Sequence, residues 1–300
     1  MKAVQFGEYG GPEVLKLVEV DEPHAGAGQV RIAVRAAAVN ALDWKIRAGY
    51  MAEQMPIPLP SGTGLDASGV VDEIGDGVSG VTIGDAVFGS GSATFADYAL
   101  LDNWARKPAD LSFEEAAGYP VPVETAIRIL DQLGVQAGDT LLVSGASGGV
   151  GSATVQIARD RGITVIGTAS ERNSDYVRSL GAIATTYGDG LVERVRALAP
   201  DGIDAALDIA GSGVLPELIK LTGDPSKVLS IADFTAPSLG AQVSTGGNAA
   251  AAAYAEAARL FSAGKLRIPV DKTFPLEDAA TAQVQSAAGH AVGRLVVTVT

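Results

Sequence analysis

The chain has 300 residues, 47% of them hydrophobic and 19% charged, a balance that supports a buried core and excludes a disordered polypeptide. Its 22 Lys and Arg against 35 Asp and Glu give a formal net charge of −13, which repels polyanions and argues against nucleic acid as a partner. Cysteine is absent, so disulfides, thiolate nucleophiles and thiolate metal ligands are excluded.

The N-terminal stretch MKAVQFGEYGGPEVLKLVEV has no continuous apolar segment, so neither a signal peptide nor a membrane span is expected, and the expected location is the cytoplasm. Residues 1 to about 115 are strand-rich: VQFGEY, VLKLVEV, QVRIAVRAAAV, SGVVDEIG and DAVFGS are short runs punctuated by Gly, Pro and Asp, the texture of a small barrel or sandwich. From Glu114 the pattern turns helical, with EEAAGYPVPVETAIRILDQLG read as helical segments around a Pro120, Pro122 turn. Strands and helices then alternate. Strands are predicted at 140–145, 163–169, around 185, 203–210, 227–233 and 241–244, separated by helices such as VGSATVQIARDRG and NSDYVRSLGA that end at glycine. Apolar runs joined by helices predict a doubly wound parallel sheet of Rossmann type, so the fold class is α/β with a second, strand-rich domain. NAAAAAYAEAARLFSAG (248–264) predicts one more helix from its alanine content, and GHAVGRLVVTVT returns to strand.

The run TLLVSGASGGVGSATVQIAR carries the first chemistry. A strand that enters a tight glycine turn and leaves as a helix aims unpaired backbone amides and the positive end of the helix dipole at one spot, which suits a pyrophosphate. Ser147, Gly148, Gly149, Val150 and Gly151 form that turn, with Gly151 allowing the helix to pack closely on the sheet. NAD-specific folds place an acid about 20 residues on, at the end of the second strand, to bind the adenosine ribose. Here Ala169 fills that place, followed by Ser170, Glu171 and Arg172. A hydroxyl and a guanidinium suit a 2′-phosphate, so the predicted cofactor is NADPH. The ends of the fourth and fifth strands should line the cleft, and Ile231 and Ala232 are the candidates for backbone contact with the cofactor.

With these elements in place the chain resembles the medium-chain dehydrogenase/reductase superfamily over essentially its whole length. VNALDWKIRAG (39–49), GLDASGVVDEIGDGV (64–78), GDAVF (84–88), GASGGVG (145–151) and the terminal GRLVVTV resemble its quinone oxidoreductase branch, which works without zinc. The zinc branch carries Cys where this chain has Asn40 and His where it has Leu65. The resemblance implies a GroES-like catalytic domain at 1–115, a Rossmann NADPH-binding domain at 116–255 and a return to the catalytic domain at 256–300. A catalytic zinc needs about three protein ligands, and His24 and His290 have no ligand spacing around them, so no metal is expected. His24 reads as an exposed loop residue.

The implied activity is hydride transfer from NADPH to a quinone or an α,β-unsaturated carbonyl, with donors stabilising the oxyanion that forms. The resemblance places Asn40 and Thr125 beside the nicotinamide. Lys45 and Tyr50 are the nearest proton-bearing groups, Lys45 standing where many relatives have Tyr. Asp66, between Gly64 and Gly69, reads as a structural turn residue. Two other activities stay open: an enoyl-thioester reductase of the same architecture, and an NADPH-binding sensor or structural protein with little turnover. The short strand AQVS at a sheet edge predicts a homodimer.

Overall fold

The computed structural model describes residues 1–53, 56–246 and 250–299. The chain opens with β1 (Lys2–Phe6), β2 (Leu15–Glu19), β3 (Val30–Ala38), α1 (Ala41–Arg47), β4 (Ser61–Gly62), β5 (Asp66–Ile74), β6 (Ala86–Ser92) and β7 (Tyr98–Arg106). Helices α2 (Phe113–Ala117) and α3 (Pro120–Leu133) lead into β8 (Thr140–Ser144), α4 (Gly149–Asp160), β9 (Thr164–Ala169), α5 (Ser174–Ser179) and β10 (Ile183–Thr186). Then come α6 (Leu191–Leu198), β11 (Ala205–Asp208), α7 (Leu215–Thr222), β12 (Val228–Ser230) and β13 (Gln242–Val243). The last elements are α8 (Ala250–Ser262), β14 (Val270–Pro275), α9 (Ala279–Ala288) and β15 (Arg294–Thr298). These divide into two compact units: Met1–Val121 with Ala249–Ser262 and Ile268–Thr300, and Pro122–Asn248 with Ala263–Arg267.

In the first unit β3, β5, β6 and β7 pair in succession and β7 pairs back onto β3, closing a small ring that leaves no edge between them. Val30, Ile32 and Val34 on alternate positions of β3 face inward and share a core with Val87, Leu101 and Val297. The last strand, β15, joins antiparallel to β3, Val296 opposite Ala38, and β14 lies parallel beside it. Helix α8 docks here through rings: Tyr254 is 6.2 Å from Phe88, and Phe261 is 6.3 Å from Tyr119.

Both prolines of the EEAAGYPVP stretch lie in the first turn of α3, so that stretch turns at Gly118 and Tyr119, ahead of them. Proline costs little there, because first-turn amides have no intrahelical acceptor. α2 starts on a capping box: the Ser112 hydroxyl accepts from the Glu115 amide at 3.1 Å, and the Glu115 carboxylate accepts from the Ser112 amide at 3.3 Å.

The second unit is a six-stranded parallel sheet in the order β10-β9-β8-β11-β12-β13, the doubly wound Rossmann arrangement. Leu141, Leu142 and Val143 of β8, and Ala206 and Leu207 of β11, have no solvent exposure, as strands covered on both faces require. Leu142, Ile166, Ala206 and Val228 pack with Leu191, Val195, Leu215 and Leu218 from α6 and α7. The strand order reverses between β8 and β11, the switch point at which such sheets bind nucleotides.

Candidate active site

The turn between β8 and α4 has the shape that its glycines imply. Gly148 is the N-cap, in extended conformation and without a side-chain cap, so the amides of Gly149, Val150 and Gly151 point outward with no intrahelical acceptor. A Cβ on Gly151 would overlap the Gly145 carbonyl oxygen and lie 2.7 Å from Ala146 Cα, whereas one on Gly148 would meet only the Gly145 oxygen, at 3.8 Å. Gly151 is therefore fixed by helix-on-strand packing. Gly148 faces open space, the condition for a phosphate to approach the backbone. The Ser147 hydroxyl is 3.4 Å from Asn173 Nδ2, which ties the turn to the segment after β9.

At the end of β9, Ala169 is buried at 3% exposure, so no carboxylate occupies the ribose position. The Ser170 hydroxyl is buried and has no hydrogen-bond partner, and it does not cap the short helix at Glu171–Asn173. A buried orphan hydroxyl is costly unless something else bonds to it, and a phosphate oxygen meets that need. Glu171 and Arg172 are both exposed on that short helix. The Ser147–Gly151 turn and Ser170 thus fit a phosphorylated dinucleotide.

At the ends of β11 and β12 the structure narrows the part that Ile231 and Ala232 can play. The Ile231 amide donates to the Asp208 carbonyl at 3.1 Å, and the Ala232 amide to the Ser230 hydroxyl at 3.1 Å. Both N–H groups are spent within the protein, which leaves the carbonyl oxygens for a ligand. Thr125, buried at 6% exposure on α3, has its hydroxyl 3.4 Å from Arg128 Nη2. Arg128 is held by Glu124 (Nε to Oε1, 2.9 Å) and bonds the Ser244 hydroxyl.

In the first unit Asn40 is the N-cap of α1 and is 3% exposed. Its Nδ2 donates to Asp66 at 3.1 Å, and its Oδ1 accepts from Arg294 Nη2 at 2.8 Å. One amide hydrogen remains, so Asn40 is locked in orientation with one donor to spare. Asp66 departs from the turn role that its flanking glycines imply. It opens β5 fully buried, pairs with Arg294 at 3.3 Å and accepts from the Val121 amide at 3.2 Å.

Asp43 completes this cluster. Its Oδ2 accepts the Asn40 amide at 2.7 Å, while Oδ1 has no partner. Burial pushes its carboxyl up to about 8, with Asp66 adding to the shift and the Asn40 amide and Arg294 opposing it. A protonated Asp43 leaves Asp66 and Arg294 as a balanced pair, and burial in turn lowers the Arg294 guanidinium from its ordinary value.

Lys45 is half-buried with Nζ 5.7 Å from the Trp44 ring centre, and it is in no ion pair among the described residues. Tyr50 is 71% exposed and packs edge-on against Trp44 at 6.2 Å. His24 is exposed and 3.1 Å from Glu73, and His290 is exposed with a φ of +79°. Among the described residues no three His, Cys, Asp or Glu side chains gather as a metal site, and no helix is long and apolar enough to cross a membrane. Arg294 and Asp208 carry no sequence signal that sets them apart. Arg294 sits in a plain β-run, and Asp208 is a single acid in ALDIAG.

A Rossmann sheet with a phosphate-ready glycine turn and, in the same chain, a strand-rich unit with a ring of paired strands define a two-domain nucleotide-dependent dehydrogenase. Residues 26–106 match the alcohol dehydrogenase GroES-like domain, and residues 180–297 match the family described as zinc-binding dehydrogenase. The quinone oxidoreductase of Rattus norvegicus is 36% identical over 77% of this chain and 73% of its own length. The NADPH-dependent alkenal/one oxidoreductase, chloroplastic, of Arabidopsis thaliana is 32% identical over 99% of this chain and 79% of its own. The structure of the quinone oxidoreductase from Coxiella burnetii superposes with a TM-score of 0.88 at 33% identity, covering 100% of this chain and 99% of that one. The chain belongs to the medium-chain dehydrogenase/reductase superfamily, as a quinone oxidoreductase-like member.

Proposed function

We propose that the protein is an NADPH-dependent, zinc-independent oxidoreductase acting on a quinone or an α,β-unsaturated carbonyl. The observation that carries the cofactor half of this reading is the end of β9, where buried Ala169 replaces the ribose-binding acid and the Ser170 hydroxyl has no partner. The acceptor class is supported by the names of the rat and Arabidopsis relatives, and the Arabidopsis name supports NADPH. Zinc independence is supported by the donor set: no cysteine in the chain, and an amide at Asn40 committed to Asp66 and Arg294.

When bound, NADPH supplies the hydride. The amides of Gly149, Val150 and Gly151 hold its pyrophosphate, Ser170 and Arg172 its 2′-phosphate, and Asn40, Thr125 and the carbonyls of Ile231 and Ala232 orient its nicotinamide end. Lys45, which pairs with no carboxylate among the described residues, stabilises the oxyanion left on the acceptor and gives it a proton. Tyr50 lines the rim as the alternative donor. In the same reading the protein is a cytoplasmic homodimer whose protomers meet along the open edge of β13.

The test is NADPH oxidation by purified protein, with and without a strong chelator, offered a polycyclic quinone, a short enone and an enoyl thioester in turn. Turnover of the quinone or enone, unchanged by the chelator, is expected. Turnover of the thioester alone would reassign the enzyme to acyl reduction. Tight NADPH binding with no turnover would make it a sensor.

A further inference from the structure

One buried carboxylate governs the turns after both β11 and β12. Asp208, 1% exposed at the end of β11, accepts the Gly211 amide on Oδ1 at 2.9 Å and the Ser230 hydroxyl on Oδ2 at 2.8 Å. That hydroxyl accepts in turn from the amides of Ala232 at 3.1 Å and Asp233 at 2.9 Å. A serine has one proton and two lone pairs, so Ser230 is saturated, and its two acceptances require its proton to point at Asp208. The turns also touch. A Cβ on Gly211, whose φ is +67°, would lie 2.7 Å from Ala232 Cβ, and one on Gly145 would lie 3.2 Å from Ala210 Cβ. The floor of the crevice over β8, β11 and β12 is thus one close-packed piece of backbone with Asp208 beneath it.

Packing alone does not account for a carboxylate here. The other residues of β11 are Ala205, Ala206 and Leu207, and burying a charge among them costs free energy unless its hydrogen bonds repay it. The side-chain bonds of Asp208 go to the segments that cross the sheet's carboxyl edge. A doubly wound sheet receives one nucleotide on each half. The glycine turn and Ser170 belong to the β8–β10 half, so β11 and β12 receive the other.

We infer that Asp208 and Ser230 are positioning residues for the nicotinamide half of the cofactor, holding residues 209–211 and 231–233 in the shape that half binds. This rests on the cofactor reading above. Among the described residues, no hydrogen bond of Asp208 or Ser230 reaches residues 147–151 or 170–172, so the adenosine half draws no direct hydrogen-bond support from them.

The experiment compares calorimetric binding of NADPH with that of 2′,5′-ADP and 5′-AMP, which lack the nicotinamide nucleotide, in wild type, Asp208→Asn and Ser230→Ala. Both variants are expected to weaken NADPH about tenfold or more while the adenosine fragments bind within about twofold of wild type. A proportional loss of all ligands in both variants, including loss by unfolding, would make the pair merely structural and overturn the inference. So would unchanged NADPH affinity in both. Wild type that binds none of the ligands would overturn the cofactor reading itself.

Discussion

Asp43 shows what one side chain can impose on the behaviour of the whole. Folded, it keeps its proton up to about pH 8; unfolded, it releases it near its ordinary value of 3.8. Between these values the unfolded state binds fewer protons than the folded one, so stability falls as pH rises from about 4 to about 8 and then levels off. Each unit inside the window costs about 1.4 kcal/mol. Asp43→Asn keeps an acceptor for the Asn40 amide and cannot ionise, so urea titrations across this range should show a flatter stability profile for the variant and its largest gain at the alkaline end. Arg172→Ala should raise the Michaelis constant for NADPH by about tenfold and leave that for NADH nearly unchanged, since a charge-assisted bond contributes roughly 1.5–3 kcal/mol. Equal losses for both cofactors in steady-state kinetics would remove the phosphate role. Both tests concern residues that sequence exposes to very different degrees. Arg172 stands three places beyond a recognisable strand end. Asp43 becomes unusual only through its complete burial in the folded chain, with Asp66 adding to the effect, and no local pattern encodes that burial.

At the level of elements, α4 and its glycines separate two demands that a sequence merges. Gly151→Ala pushes a methyl into the Gly145 carbonyl and the Ala146 backbone, so it should cost roughly 1–3 kcal/mol in denaturant titrations as the helix lifts from β8. Gly148→Ala meets almost nothing and should leave the unfolding midpoint alone while weakening NADPH in a binding assay. The inner strands of the second unit are legible because burial on both faces writes them as apolar runs, and each of the six predicted strands, the partly exposed edge strands β10 and β13 included, is present within a few residues. Strand β7 was not legible: Asp102 and Asn103 disfavour extended structure, and it is pairing with β3 and β6 that holds Tyr98–Arg106 in place. Helix α1 lay inside a motif read for its chemistry, and its capping box of Asn40 and Asp43 is the local signal that marked its start. The sequence pattern places a turn at Pro120 and Pro122, whereas both prolines stand in the first turn of α3, where proline fits a helix start.

For the molecule as a whole, β13 is a two-residue strand at the end of the sheet order, with no further strand paired to it among the described residues, and a second copy can extend the sheet there. Sedimentation at micromolar concentration should give twice the 30.4 kDa chain mass, and a monomer there would remove the dimer. The pairing of β15 with β3 has a different kind of consequence. Ala38 meets Val296, so during synthesis β3 leaves the ribosome long before its partner exists, while the segment between them already holds all the strands of the parallel sheet. The second unit can therefore mature while the nascent first unit still waits for its closing strand. For that interval the exposed flank of β3 is the surface a holding chaperone would cover.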